Sequence, residues 1–190
     1  MKLMNDYSQA STAYPDLARG LARSNINQLW VADITYVRLR RESVFLSVIL
    51  DDYSRRCPGW ALSRRFDTQL PLAALRMALR TRSSQPGLVH HSDHAVHYAA
   101  PDYVALLQEH KIQISMGREV DPYDNANSEP FMHTLKNEEI SQSGYETLAD
   151  ISASAQHFIQ AVYDQKRPYS AISSPPADSI QSTAAMTSGK

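Results

Sequence analysis

The chain has 190 residues, 43% of them hydrophobic and 21% charged. That is the size and balance of one ordinary globular domain with tails, and it excludes a disordered or collagen-like polypeptide. Lys plus Arg is 19 and Asp plus Glu is 20, a formal net charge of −1, so there is no basic coat and any affinity for nucleic acid must come from local patches. The single cysteine, Cys57, excludes an internal disulfide and a Cys-rich zinc site, and it fits a reducing cytosol. No stretch approaches the roughly 20 apolar residues that span a bilayer, and the first residues lack the apolar core of a secretory signal. A cytoplasmic domain with no membrane partner is expected.

Residues 1–26 are polar and without sustained periodicity, and they read as a linker-like lead-in. LWVADITYVRL, from Leu29, is rich in aromatic and β-branched residues and predicts a strand. SVFLSVILDD follows, apolar almost without break from Val44 to Leu50, as a strand buried on both faces should be. RRCPGWALS predicts a weaker third strand. The short spacers between these three permit antiparallel hairpins and leave no room for helical crossovers.

The period then changes. Asp67 can cap a helix with Pro71 in its first turn and an apolar stripe of Leu72, Leu75 and Leu79. GLVHHSD predicts a short strand running into a loop, PDYVALLQEH a helix opened by Pro101, and KIQISM a half-buried strand. SEPFMHTLKNEEI reads as helical, and so does TLADISASAQHFIQAVYDQ, where Thr147 and Asp150 resemble a capping box. The order predicts an α/β fold: three antiparallel strands extended by parallel ones, with helices on both faces of a mixed sheet.

Three acidic residues fall where such a sheet can gather them. Asp33 lies within the first strand, Asp93 just past the fourth, and Glu129 in the first turn of a later helix, with 35 residues between the last two. Adjacent parallel strands would set Asp33 beside Asp93, and the helix could lay Glu129 across them. Clustered carboxylates repel unless cations share the charge. Oxygen-only ligands suit Mg²⁺ or Mn²⁺ and match Zn²⁺ poorly. Two such ions about 3.5–4 Å apart activate a water or hydroxyl and steady the leaving oxygen of a phosphodiester. In that arrangement Asp33 is the shared ligand. The spacing alone is weak, because twenty acidic residues offer such a pair by chance.

The local sequence around each member carries more. NQLWVADITY, LDDYSRR, GLVHHSD and YDNANSEPFMHTLKNEE resemble, in order, the blocks of the catalytic core of bacterial insertion-sequence transposases of the IS3 family, within the retroviral-integrase superfamily. The resemblance covers residues 27–176, about four-fifths of the chain, which leaves 1–26 as lead-in and 177–190 as a flexible tail. It implies an RNase H-like fold with a five-stranded mixed sheet, and it maps the acidic triad onto Asp33, Asp93 and Glu129. It further implies Mg²⁺-dependent cleavage and joining of double-stranded DNA at transposon ends, in a homo-oligomeric active complex. Two rivals stand beside it: an RNase H-like DNA-binding or assembly module that has lost turnover, and a nuclease that hydrolyses without joining.

Departures from the family pattern motivate the rivals. His94, Ala95, Val96, His97 and Tyr98 stand where the family usually reads Arg-Gly-x-Gln-Tyr, and Gly117, Arg118, Glu119, Val120 and Asp121 where it favours Ser-Arg-Lys-Gly-Asn. A basic, flexible loop has become more acidic and stiffer, which weakens phosphate contacts. Near the C-terminus Arg167 is part of a motif only partly kept. The family's upstream helix-turn-helix has no counterpart in these residues.

Candidate DNA contacts are Lys136, Arg118, Asn125 and Arg167. Lys136 follows Glu129 by seven residues and so returns to the same helical face, where the family carries a basic residue; the alternative is a plain solvated lysine. Asn125, with Tyr123 and Asp124, shapes the entry of the glutamate helix or touches DNA directly. His90, His91, His94 and His97 make a zinc site conceivable, but they run from a strand into a loop, which favours structural or DNA-adjacent roles. Asp51 and Asp52 read as turn and capping residues rather than ligands, and Trp30 and Trp60 as core.

Overall fold

Short spacers between β-rich segments force neighbouring strands to turn back on one another. β1 (Leu29–Arg38) accordingly pairs antiparallel with β2 (Ser43–Asp51), and β2 with β3 (Gly59–Ser63). The computed structural model describes residues 14–82, 86–93, 95–117, 145–157 and 159. β4 (Val89–Ser92) joins the free edge of β1 in parallel, and β5 (Gln113–Met116) joins β4 in parallel. The sheet order is β3-β2-β1-β4-β5. This is the mixed five-stranded sheet that the element order predicts.

Helices cover both faces. α1 (Gln69–Thr81) and α2 (Pro101–Glu109) lie on one side, where Leu72, Leu75 and Ala78 of α1 and Tyr103 and Leu107 of α2 pack with Trp30, Ala32 and Ile49 of the sheet. On the other side Ile151 of α3 (Leu148–His157), together with Ile159, packs on Val37, Leu46, Val48 and Leu50. β2 has a helix over each face, which is why it reads as a nearly continuous apolar run. Trp30 is fully buried, as expected, whereas Trp60 is half-buried at the edge of the α3 cluster.

Local chemistry sets the ends of the elements. The Asp67 carboxylate accepts the Gln69 amide (3.1 Å) at the start of α1, with Pro71 in the first turn, and Pro101 opens α2. The capping box of α3 forms: the Asp150 carboxylate accepts the Thr147 amide (2.9 Å) and hydroxyl (2.8 Å). α1 crosses β3 so closely that a Cβ on Gly59 would lie 2.2 Å from the Ala74 carbonyl oxygen. Only glycine fits there.

Asp51 ties the sheet's end together. Its buried carboxylate accepts the Asn27 amide (2.6 Å), the Ser54 amide (2.7 Å) and the Ser54 hydroxyl (2.6 Å), with Arg82 of α1 at 3.9 Å. Asp52 takes Arg23 at 2.6 Å. Both act as turn residues, as their position at the end of β2 predicts. The lead-in also takes part: Leu17, Ala18 and Leu21 pack on Leu29, Val31 and Val89, and the Leu17 amide donates to the Ser115 hydroxyl (2.8 Å). The helix expected over 128–140 lies outside the described residues.

Candidate active site

The parallel register between β1 and β4 pairs Leu29 with Val89, Trp30 with His90 and Val31 with His91. Two residues beyond Val31 is Asp33, and two beyond His91 is Asp93. Continuing the register sets the two level, and the two-residue alternation of strand side chains assigns both to the same face. Asp33 is half-buried within β1, flanked across the β1–β2 ladder by Val48. Asp93 is exposed just past the end of β4, and its carboxylate accepts the Ala95 amide (3.1 Å), fixing the first turn of the following loop. β5 braces the same point, where the Gly117 amide donates to the Ser92 carbonyl (2.9 Å).

The two carboxylates belong to one electrostatic neighbourhood. Burial, then Tyr103, then the charges of Asp33 and Asp93 push the Tyr98 hydroxyl well above the usual phenol range. Tyr98 is fully buried on the opposite side of the sheet, with the Ser47 hydroxyl facing its own. The importance of Tyr98 is not visible from residue type alone. The signal available in the sequence is its place five residues after Asp93, in the loop that β4 feeds.

On that continued register the two carboxylates, one of them open to solvent, would offer an all-oxygen donor pair. That chemistry fits a hard divalent cation such as Mg²⁺ or Mn²⁺. Glu129 lies outside the described residues, as do Lys136, Arg118, Asn125 and Arg167. Among the described residues no group of three or more His, Cys, Asp and Glu gathers as a metal cluster.

The histidines divide. His90 and His91, as neighbours on one strand, face opposite sides of the sheet. His90 Nε2 lies 2.8 Å from the Tyr103 hydroxyl, and burial holds its pKa down to about 3, so it is neutral. His91 Nδ1 lies 2.8 Å from the Ser115 hydroxyl. Each is engaged where it stands, in the structural role that the sequence favours over a zinc site. His97 packs edge-on against Phe66, and His94 lies outside the described residues.

Two family models, each described as an integrase core domain, match residues 23–122 and 110–176. The chain belongs to the integrase core domain family. Its likeness within that family is to insertion-sequence transposases. The transposase for insertion sequence element IS904 of Lactococcus lactis subsp. lactis (strain IL1403) is 32% identical over 164 residues, 86% of this chain and 65% of that protein. Transposase InsF for insertion sequence IS3A of Escherichia coli (strain K12) is 35% identical over 147 residues, 77% of this chain and 51% of that protein. The chain therefore spans between half and two-thirds of these curated relatives. Among solved structures, the HTLV-2 integrase catalytic core domain in complex with magnesium aligns with a TM-score of 0.55 at 13% identity, over 72% of this chain and 88% of that one. At that identity the likeness is one of fold, and the fold is RNase H-like.

Proposed function

We propose that this chain is the catalytic core of a DDE transposase, cutting and joining double-stranded DNA at the ends of an insertion sequence in the bacterial cytoplasm. The observation that supports this reading is the parallel β1–β4 pairing, whose register runs to Val31 and His91, two residues before Asp33 and Asp93, in a fold shared with integrase cores. Asp33, Asp93 and Glu129 are the residues that would hold Mg²⁺ or Mn²⁺, as two ions. When bound, such ions supply Lewis-acid activation of the attacking oxygen and neutralise charge on the phosphodiester. The chain's own part is to hold the carboxylates in place. β1 holds Asp33 in the middle of the sheet, while β4, braced by β5, leads to Asp93 just past its solvent-exposed end.

Water attacks one phosphodiester and releases a 3′-hydroxyl, and that hydroxyl attacks a second phosphodiester with loss of its 3′-oxygen as leaving group. No covalent protein–DNA intermediate arises, so no nucleophilic Ser or Tyr is called for. The active complex is a homo-oligomer on DNA, and Lys136, Arg118, Asn125 and Arg167 provide phosphate or base contacts. Selection of the element's ends rests mainly outside these residues.

The test is nicking and joining of an end-labelled duplex with Mg²⁺ or Mn²⁺. Nicked and joined products are expected from the native chain, and neither from Asp33→Asn, Asp93→Asn or Glu129→Gln. A second readout is thermal stability without metal, which the amide variants should keep or raise because a clustered negative charge is removed. Nicking without joining would indicate a nuclease, and DNA binding with neither product an inactive module. Cleavage near the native rate in Glu129→Gln would remove that residue from the triad.

A further inference from the structure

Between Asp93 and α2 the chain rounds the end of β4, and one side chain holds that turn down. The Asp93 carboxylate accepts the Ala95 amide (3.1 Å), and the Ala95 carbonyl accepts the Tyr98 amide (3.0 Å). Two hydrogen bonds thus lead from the carboxylate to Tyr98. On the strand side the Ser92 hydroxyl donates to the Asp93 carbonyl (3.1 Å). Of the described residues from Asp93 to Ala100, only Tyr98 is buried, at 1% exposure, whereas Val96 is 72% exposed.

Tyr98 is seated deep in the core beneath α1 and α2. Its ring meets Tyr103 of α2 edge-on (centroids 5.4 Å apart) and lies tilted against His90 of β4 (6.3 Å), while His90 Nε2 stands 2.8 Å from the Tyr103 hydroxyl. His90 comes three residues before Asp93 and Tyr98 five after it, so both flanks of the aspartate are pinned into one cluster. The Ser47 hydroxyl of β2 faces that of Tyr98. Ser47 is the register partner of Ile34, the residue next to Asp33. Because β1 lies between β4 and β2 in the sheet, Tyr98 reaches from the Asp93 loop beneath the strand of Asp33. After burial and Tyr103, the charges of both aspartates are felt at its hydroxyl.

We infer that Tyr98 is a positioning residue for the proposed metal site: its buried ring pegs the loop after β4 and so fixes where the Asp93 carboxylate stands. The inference rests on the reading of Asp33 and Asp93 as metal ligands. A carboxylate on an exposed loop has many orientations, and ordering it costs conformational entropy that a cation would otherwise have to overcome. A support set during folding removes that cost before any ion arrives. An ordinary core ring contributes packing alone, whereas this one is joined to the carboxylate through the Ala95 turn.

The test is calorimetric titration of Mn²⁺ into the full metal-free chain, with melting temperature and amide hydrogen exchange measured on the same samples. Tyr98→Leu should weaken Mn²⁺ binding about tenfold or more, the usual effect of losing a support behind a metal ligand. Exchange at the Ala95 and residue-98 amides should quicken, while the β1–β2 amides keep their protection. Tyr98→Phe, which keeps the ring, should recover most of the affinity. Leu107→Ala opens the same core away from the loop and serves as the stability control: its melting temperature should fall while its Mn²⁺ affinity holds. If Tyr98→Leu does not fold, Tyr98→Met, which fills the space with a flexible chain, takes its place. Unchanged Mn²⁺ affinity in the leucine or methionine variant overturns the inference, and so does an equal loss in Leu107→Ala. A native chain that binds no Mn²⁺ overturns the metal reading of the aspartates and the inference with it, whereas binding that survives loss of the ring sinks the positioning role alone.

Discussion

His90 illustrates how a single buried side chain couples this fold to pH. Its ring is enclosed between Tyr98 and Tyr103, and the charged form is disfavoured first by burial and then by the neighbouring His91. Because the folded pKa of about 3 lies below the ordinary 6.5, the unfolded chain binds the proton first. Stability is therefore greatest above pH 6.5 and falls as pH drops below it, at up to about 1.4 kcal/mol per pH unit. Urea midpoints at pH 5 and pH 7 should differ in that direction, and His90→Gln, which keeps a polar partner for Tyr103, should flatten the difference. A native chain equally stable at both values would contradict a neutral, buried His90.

At the scale of elements, two junctions hold the architecture. The first is α1 against β3 at Gly59, where the backbone of Ala74 and Ala78 occupies the space of a Cβ. Gly59→Ala must push helix from sheet and should cost about 3 kcal/mol or more, read as a lowered denaturant midpoint. The second is α3 against β2. The Glu42 carboxylate accepts from Arg64 (Nη2, 2.9 Å) and from the Leu148 amide (2.6 Å) at the start of α3. Arg64 first, then that amide, hold its pKa below the ordinary 4.5, and the Thr147 cap lowers Asp150 likewise from 3.8. A depressed carboxylate stabilises above its unfolded value, and the benefit is lost as pH falls through the folded one. Docking of α3 should therefore loosen below about pH 4.5. Glu42→Gln should lower the melting temperature at pH 6, and the difference from the native chain should shrink as pH falls below 4.5.

For the molecule as a whole, a net charge of −1 means that the duplex DNA of the proposed function would have to be held by local cations against an overall weak field. Binding by this chain should be modest, with little sequence preference, and should weaken with added salt. Lys136→Ala should reduce the slope of log affinity against log salt by about one, uniformly across sequences. Titrations with two unrelated duplexes between low and moderate salt test this. Tight binding to only one of them would show that the core itself reads sequence.

Much of this was legible in the residues, and for identifiable reasons. Periodicity and spacer length determined the strands, because an apolar run such as Val44–Leu50 has no other stable place than between two covered faces, and a short spacer allows only a reversal. Pro101 and the Thr147–Asp150 pair are local signals whose meaning depends on little else, whereas the need for glycine at position 59 arises only from the approach of α1. The block around each acidic residue was enough to place the chain in its family. Tertiary structure alone decided which distant residues meet. The parallel pairing of Leu29–Val31 with Val89–His91 joins segments sixty residues apart in sequence, and no local pattern encodes a pairing between strands so far apart. The same is true of Arg82 reaching Asn27 (3.3 Å) and Asp51, and of Phe45, Phe66 and His97 forming one aromatic run. Each depends on the packing of separate elements, a property that the chain acquires only once its core is assembled.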